Sequence, residues 1–536
     1  MSDEAAPVMV IPLETLDVPA LINYIKDLEA SLKNVQFDYM LLKEQYDLLV
    51  YKRFGRSAEK LLEDKKQQLL FGPEEVTGEA AVQPKAEELT EVKPFMRKKA
   101  GRKPIAPDIP RRERIIDIGE EEKTCACGAK LTRIGEETSE KLHIEPPVIY
   151  VEKIIRPKYA CRSCEGTEDE DTPTVRIAPV EPAIIPKSIA SASLLSTIII
   201  QKFEDHLPYY RQEIQFARIG VQLSRQDMSN WQQQAYGKIK PLFGLLKGVL
   251  RSGPVMKMDE TPVQVMGEEG REDTGESRMW LALGGPPGKP VVLYEYHETR
   301  GAKHAQEILT GFRGYLQTDG YIGYDAAVEG NAAIVQVGCF AHVRRKFFEA
   351  VKVSEQKTLA EEAIGYIKKL YSIEAELRKK HEEDGNDSAE KAEGKQELFR
   401  SERKESTGPV FEGFKAWLAE WVVKVPPKTM VGQAIGYSLS QWEKLIKYVE
   451  SPYLTPDNNA CENAIRPFVI GRKNWLFSKS PEGAESSCGM YTLIQTAKLN
   501  GLVPIRYLTA LFEKAPYASS REDWVKLLPW NIFKNS

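Results

Sequence analysis

The sequence predicts a multidomain α+β protein in which helical and cysteine-bearing modules lead into a mixed α/β core split by a helical insertion. Three observations predict it. Apolar residues recur at heptad spacing over residues 21–49, two close cysteine pairs bracket a β-rich stretch between residues 125 and 164, and beyond residue 253 the hydrophobic period changes from helical spacing to short strand-like runs. Length agrees: 536 residues are too many for one hydrophobic core, and two to four units are expected.

Composition narrows the class. No apolar run approaches the roughly 20 residues that span a bilayer, and Ile198-Ile199-Ile200 is the centre of a short segment only. Residues 1–12 are acidic and lack a basic region followed by an apolar stretch, so no signal peptide is read there. A cytoplasmic protein with no membrane partner is expected. Four of the seven cysteines form two close pairs, a pattern that in a reducing compartment points to metal before disulfides. The net charge of −4 carries no argument for or against nucleic acid, because such binding depends on local charge.

In chain order, residues 13–60 are read as a coiled-coil helix. Leu21, Ile25, Leu28, Leu32, Val35, Tyr39, Leu42, Tyr46 and Leu49 alternate spacings of four and three, a seam that persists for about four heptads. Self-association as a homodimer or higher oligomer follows, the alternative being one amphipathic helix packed on its own domain. Residues 61–96 turn polar and acidic and read as a linker. Charge reverses over residues 97–115, where Gly101-Arg102-Lys103-Pro104 sits in a basic extended stretch. Arg102 and Lys103 are placed as DNA contacts of the kind that enter a narrow minor groove; a solvated basic linker is the alternative.

Residues 116–178 read as a zinc ribbon. Cys125 and Cys127, then Cys161 and Cys164, supply two thiolates from each of two turns to a closed tetrahedral structural Zn2+, with strands expected over 148–155 and 156–160. The first pair is separated by one residue rather than two, and His143 is an alternative ligand. Residues 179–250 read as helical. Residues 191–203 are largely apolar, Pro208-Tyr209-Tyr210 opens a helix to Ile219, Gly220 breaks it, and Ser224 caps a second from Arg225 to about Lys238. The pair resembles a helix-turn-helix with Arg225, Gln226, Ser229, Asn230 and Gln232 to Gln234 facing out, of which Arg225, Gln226 and Asn230 are placed at DNA; an ordinary helical hairpin is the alternative.

The core begins at residue 251. Strands are expected over 255–266, 278–283 and 290–296, then a helix over 302–312, strands over 315–318 and 333–340, and a helix over 341–351. Three strands, helix, strand, strand and helix match the order of a ribonuclease-H-like fold, with core parts at 251–352 and 449–515, a helical insertion at 353–448 and a C-terminal tail at 516–536. In that order Asp259 lies on the first strand and Asp319 at the end of the fourth, on adjacent central strands. Glu462, at the start of a short helix, is the third acid. Two Asp and one Glu suit Mg2+ (or Mn2+), a hard cation that takes oxygen ligands and keeps its waters, and two such ions about 4 Å apart serve in-line displacement at phosphorus. Arg466, four residues after Glu462 on the same helical face, is placed to hold the glutamate or a phosphate, and with Arg472 and Lys473 it is placed as a DNA contact. His342 is either a site residue or a helix-start histidine, and Trp475 either stacks on a displaced base or fills the core.

The segments Met258-Asp259-Glu260-Thr261-Pro262, Thr318-Asp319-Gly320-Tyr321, Cys339-Phe340-Ala341-His342-Val343-Arg344-Arg345-Lys346-Phe347, Asp457 through Arg472-Lys473-Asn474-Trp475-Leu476-Phe477, and Thr496-Ala497-Lys498-Leu499-Asn500-Gly501 resemble those of the insertion sequence 66 family of bacterial transposases. So do the N-terminal helix ending in Arg53-Phe54-Gly55-Arg56-Ser57-Ala58-Glu59-Lys60, the cysteine module and the helical region, so nearly the whole chain is covered in the family's order. The closer first cysteine pair and Cys461 before Glu462 depart from the family's usual residues. The resemblance implies a DDE recombinase with Asp259, Asp319 and Glu462 as its acids, DNA with inverted terminal repeats as substrate, and small accessory proteins of the same element as partners. It implies a bacterial, nucleoid-associated location. The expected chemistry is two-step phosphoryl transfer, hydrolysis at each element end freeing a 3′-hydroxyl that then attacks target DNA. The alternatives are a non-catalytic DNA-binding descendant and a nuclease that cuts without joining.

Overall fold

The computed structural model describes residues 18–54, 149–160, 175–353, 357–381 and 389–534, and its chain divides into two units, residues 77–180 and residues 1–76 with 181–536. The acidic linker, the basic arm with Arg102 and Lys103, and Cys125, Cys127, Cys161 and Cys164 lie outside the described residues. No helix among the described residues is long and apolar enough to cross a membrane.

In the smaller unit, β1 (Lys158–Ala160) pairs antiparallel with β2 (Val175–Ile177), and Arg156 Nη1 donates to Ala178 O at 2.7 Å. No strand appears over the described part, 149–155, of the one expected at 148–155: residues 149–157 are exposed and pair with no strand among the described residues, and a strand exists only through such pairing.

The larger unit starts with α1 (Val18–Phe54) and resumes with α2 (Ala192–Phe203), α3 (Tyr209–Arg218) and α4 (Arg225–Arg251). Ser191 and Ser224 cap α2 and α4, each side-chain oxygen accepting a backbone N–H of the first turn. Gly220 turns the chain between α3 and α4 at φ +82°, a left-handed value that glycine adopts without a Cβ clash. The second helix runs on well past Lys238, through Pro241. Ile239, Leu242, Phe243, Leu246 and Leu250 are buried along it, so apolar burial outweighs the one backbone hydrogen bond that Pro241 forgoes.

The sheet follows: β3 (Val255–Val265), β4 (Glu276–Gly284) and β5 (Val291–His297) form an antiparallel meander. Then come α5 (Ala302–Leu309), β6 (Gly314–Gln317), α6 (Ile322–Val328), β7 (Ile334–Val337) and α7 (Phe340–Val353). The order across the sheet is β5-β4-β3-β6-β7, with β6 parallel to β3 and β7 parallel to β6. The meander's second turn uses Gly285 at φ +104° and Gly288 at φ +77°. The five expected strands appear in the expected order, but β7 ends at Val337 rather than 340 because α7 has begun by Phe340, and α6 fills what was expected as a short connection.

The insertion is helical: α8 (Lys357–Lys380), α9 (Ala389–Val422), α10 (Met430–Ser440), α11 (Trp442–Leu445) and a 3-10 turn, Ile446–Glu450. These helices share with α7 a hydrophobic core of their own, built around Phe347, Phe414, Trp417, Trp442 and Tyr448. The chain then returns to the sheet with α12 (Asn459–Trp475), β8 (Phe477–Ser478, parallel to the far end of β3), α13 (Pro481–Leu499), α14 (Pro504–Lys514) and α15 (Arg521–Lys526). The segment expected as a C-terminal tail carries Trp524, Leu527, Leu528 and Ile532, all buried in the main core.

Both margins of the sheet are covered. On β5, Tyr294 N donates to Thr492 Oγ1 at 2.9 Å and Val292 N to Thr496 Oγ1 at 3.1 Å, so two α13 hydroxyls take the place of a neighbouring strand. On β7, α11 and the 3-10 turn lie alongside, and Gly338 N donates to Lys444 O at 3.0 Å.

α1 carries two stripes. Phe37, Met40, Leu41, Glu44 and Leu48 are partly or fully buried, and α1 packs on α7. Glu44 accepts from Met430 N at 3.0 Å, and Lys352 Nζ lies 5.5 Å from the Tyr51 ring centroid. The heptad seam is a different stripe and stays open: Leu32 is 58%, Tyr39 68% and Leu49 68% exposed.

Candidate active site

Asp259 and Asp319 come together through strand register. β3 and β6 pair in parallel with Lys257 opposite Gln317, and two residues further along each chain, past the end of β6, stand Asp259 and Asp319. Asp259 Oδ1 accepts from Glu260 N at 2.9 Å and Asp319 Oδ1 from Tyr321 N at 3.0 Å, which fixes both carboxyls.

Glu462 arrives on α12, whose entry is stapled to the sheet. Lys257 Nζ donates to Thr455 Oγ1 at 2.6 Å and to Asp457 O at 3.1 Å, Gln317 Nε2 to Thr455 O at 2.7 Å, and Asn458 Nδ2 to Met258 O at 2.9 Å. Asn458 N donates to Cys339 Sγ at 3.2 Å, tying the same loop to the start of α7. α12 packs on β3 and β4, and Glu462 ends in its first turn with only 2% of its side chain exposed. The helix is longer than the short one expected, because Ile465 and Phe468 bury on either side of Pro467 and carry it on to Trp475.

Charges from neighbouring acids act on Asp259 and on Glu462. Burial first, then the charges of Glu260, Glu462 and Asp319, holds the Asp259 carboxyl well above its usual range. Burial pushes Glu462 up to about 6; Arg345 opposes this, and Asp457 and Asp319 reinforce it. Arg345 Nη2 lies 3.4 Å from Glu462 Oε2, and His342 Nδ1 lies 3.7 Å from Oε1. Both Oε1 and that nitrogen are buried without a hydrogen-bond partner. Burial, with Arg345 and Lys346 nearby, pushes His342 down to about 4. Such a cluster of mutually repelling acids with an unpartnered buried oxygen fits a cation.

A stability consequence follows. Glu462 binds its proton more tightly folded than unfolded, so the stabilising contribution is complete below the ordinary value of 4.5 and is lost as pH rises through about 6. Above that, the buried charge costs the cation-free fold about 2 kcal/mol. In chelator, Glu462→Gln should raise the thermal midpoint by a few degrees at pH 8 and leave it unchanged at pH 4. An identical midpoint for both proteins at pH 8 would refute the strained carboxyl.

Other residues sort as follows. The arginine at Glu462 is Arg345 on α7; Arg466, expected there, is exposed on α12. Arg472 is half-buried and donates to Thr261 Oγ1 at 3.3 Å, while Lys473 is exposed. Arg225, Gln226 and Asn230 are exposed at the start of α4, Gln226 Nε2 donating to Asn230 Oδ1 at 2.9 Å. Gln232, expected to face out, is buried instead and donates to Ser486 Oγ at 2.7 Å, because it lies on the α4 face that meets α13. Trp475 packs edge-on against Phe468 with centroids 5.5 Å apart, the core alternative.

Two neighbours were missed in the sequence. Glu260 is paired with Arg300 and Tyr324 OH; Arg300 in turn stacks 3.6 Å from the centroid of Tyr321, next to the Asp319 turn. Tyr437 of α10 lies so close over Gly320 that a Cβ there would stand 2.7 Å from its hydroxyl. The glycine after Asp319 was visible as a residue, but its partner comes from the insertion and no local pattern marks it.

Comparison with known proteins gives one consistent family. A model described as transposase IS66 family matches residues 187–486. Others match residues 122–165 (zinc-finger binding domain of transposase IS66, a span that includes all four paired cysteines), residues 492–530 (IS66 C-terminal element) and residues 41–114 (Transposase C of IS166 homeodomain). Uncharacterized protein y4jD of Sinorhizobium fredii is 32% identical over 79% of this chain and 80% of its own length. Uncharacterized protein y4qI of the same organism is 31% identical over 83% and 81%.

Proposed function

Because the chain belongs to the IS66 family of transposases, we propose that it binds the inverted ends of its element and cuts and joins DNA strands at a DDE site formed by Asp259, Asp319 and Glu462. The observation that carries this reading is that the buried Asp259 carboxyl on β3 feels the charges of Asp319, past the end of β6, and of Glu462 on α12, whose Oε1 is buried without a hydrogen-bond partner. The sheet order β5-β4-β3-β6-β7 supports a ribonuclease-H-like core.

The donor set is oxygen-rich and strongly anionic, which suits Mg2+ or Mn2+. Divalent cations bound there would supply charge neutralisation at the attacking and leaving oxygens of the phosphodiester. The chain's own part is positioning. The backbone N–H groups of Glu260 and Tyr321 orient the two aspartates, Arg345 holds Glu462, and the Lys257, Gln317 and Asn458 staples keep α12 at the sheet. Exposed Arg466 and Lys473 on α12 would meet DNA phosphates, half-buried Arg472 would brace β3, and Arg225, Gln226 and Asn230 are placed to touch DNA at the start of α4. The matched zinc-finger region would close a structural Zn2+ with Cys125, Cys127, Cys161 and Cys164, and Arg102 and Lys103 would add phosphate attraction.

Purified protein with Mg2+ should nick DNA carrying the element's ends and join pre-cleaved ends to a target. Cutting without joining would leave a nuclease, and binding without cutting a DNA-binding descendant. Small accessory proteins of the element and a nucleoid location belong to the same reading.

The open seam of α1 is assigned to a second copy of this chain. Its heptad spacing and the burial of a separate stripe against α7 leave an apolar face that a paired helix would cover. Leu32→Glu with Leu42→Glu should convert the oligomer to monomer in sedimentation while leaving the far-ultraviolet spectrum of the folded body intact. An unchanged sedimentation coefficient would remove the seam from the interface.

A further inference from the structure

We propose that His342 is a nitrogen ligand of the carboxylate cation site, binding beside Glu462, so that the site prefers Mn2+ over Mg2+. The inference rests on the reading of Asp259, Asp319 and Glu462 as cation ligands. His342 Nδ1 and Glu462 Oε1 face each other at 3.7 Å, and neither has a hydrogen-bond partner although both are buried. That gap is too long for a hydrogen bond, whose heavy atoms stand about 2.7–3.2 Å apart. It does fit two donors sharing one ion: ligands each about 2.1 Å from a metal stand roughly 3.0–4.2 Å apart, from right-angled to opposed. One ion would satisfy both orphaned atoms at once.

The surroundings agree. Cys339 Sγ, a His342 ring nitrogen and a Glu462 oxygen lie within 4.8 Å of one another, a donor trio drawn from two elements distant in sequence. Cys339 already accepts Asn458 N–H at 3.2 Å, and burial pushes its thiol up to about 12, so it is the structural member of the trio. His342 is pre-positioned in the first turn of α7, one turn before Arg345, which takes the other Glu462 oxygen. Mn2+, a transition ion, accepts an imidazole nitrogen more readily than Mg2+, which holds to oxygen, and this relative preference sets the expected selectivity.

The test loads the full-length protein with Mn2+ and records electron spin-echo envelope modulation. The expected result is 14N modulation from a directly bound imidazole, lost in both His342→Ala and His342→Gln. The variants should bind Mn2+ about tenfold more weakly, with Mg2+ affinity changed less than about threefold. The second variant covers the case in which the first fails to fold. Two results overturn the proposal. If the wild type binds Mn2+ in a manner abolished by Asp259→Asn yet shows no 14N modulation beyond that of the His342 variants, the carboxylates hold the ion and His342 does not. If Asp259→Asn and Asp319→Asn leave Mn2+ binding unchanged, the carboxylate reading falls and the histidine assignment with it.

Discussion

Asp259→Asn should reduce Mg2+-dependent strand cleavage by at least about a thousandfold, equivalent to about 4 kcal/mol of lost transition-state stabilisation, with binding to element ends retained. The side chain keeps its size and an oxygen to accept Glu260 N–H, so the local fold at β3 should survive. What disappears is the charge. Asp259 shares its surroundings with Glu260, Glu462 and Asp319, a crowding that makes its carboxyl hold its proton and that bound cations would relieve. An amide oxygen cannot replace a carboxylate as a hard anionic ligand. Loss of one negative charge should leave DNA affinity equal or slightly higher, which separates a catalytic defect from a binding one. Wild-type nicking rates in this variant would end the DDE assignment.

Arg403→Ala should destabilise the protein by about 3–5 kcal/mol, because it breaks a buried charge network rather than a surface pair. Arg403 is fully buried on α9. Its Nη1 donates to Tyr448 O at 2.8 Å and Ser451 O at 2.9 Å, and its Nη2 to Glu374 Oε1 at 3.1 Å. The guanidinium lies 4.2 Å from the Phe399 centroid. Burial lowers its pKa to about 10, so it remains charged at neutral pH. Truncation strands the carbonyls that end the 3-10 turn and removes one cation from buried Glu374, leaving it Arg378 at 2.6 Å. Urea unfolding should show a clearly lower midpoint. Arg403→Lys should recover only part of the loss, since one ammonium cannot reproduce the planar fork. An unchanged midpoint for Arg403→Ala would show that the turn holds without it.

The sheet was legible because its signals are local. Alternation along residues 255–266 and glycines at 284, 285 and 288 mark strands and a turn wherever they occur. Asp259 and Asp319 could be placed side by side because parallel register follows from strand order. Partners supplied by distant helices were not legible. Arg345 rather than Arg466 meets Glu462 because α7 and α12 are brought together by the Cys339–Asn458 contact, and sequence spacing speaks only for residues on one helix. Gln232 faces α13 for the same reason: its polar amide reads as a solvent-facing residue until Ser486 is placed opposite. The insertion could be delimited, but its part in the site could not. Tyr437 reaches Gly320 from a helix held in the insertion's own core, distant in sequence from the glycine.

With threonine hydroxyls from α13 along one margin of the sheet and helical cover along the other, no row of free backbone donors is left to template a strand from a second molecule. Among the described residues, this sheet therefore offers no open margin through which a second copy could extend it into a continuous ribbon. Pairing through the open seam of α1, as proposed, would be decided by side-chain fit between helices, which can be rewritten one residue at a time without disturbing the sheet that carries Asp259.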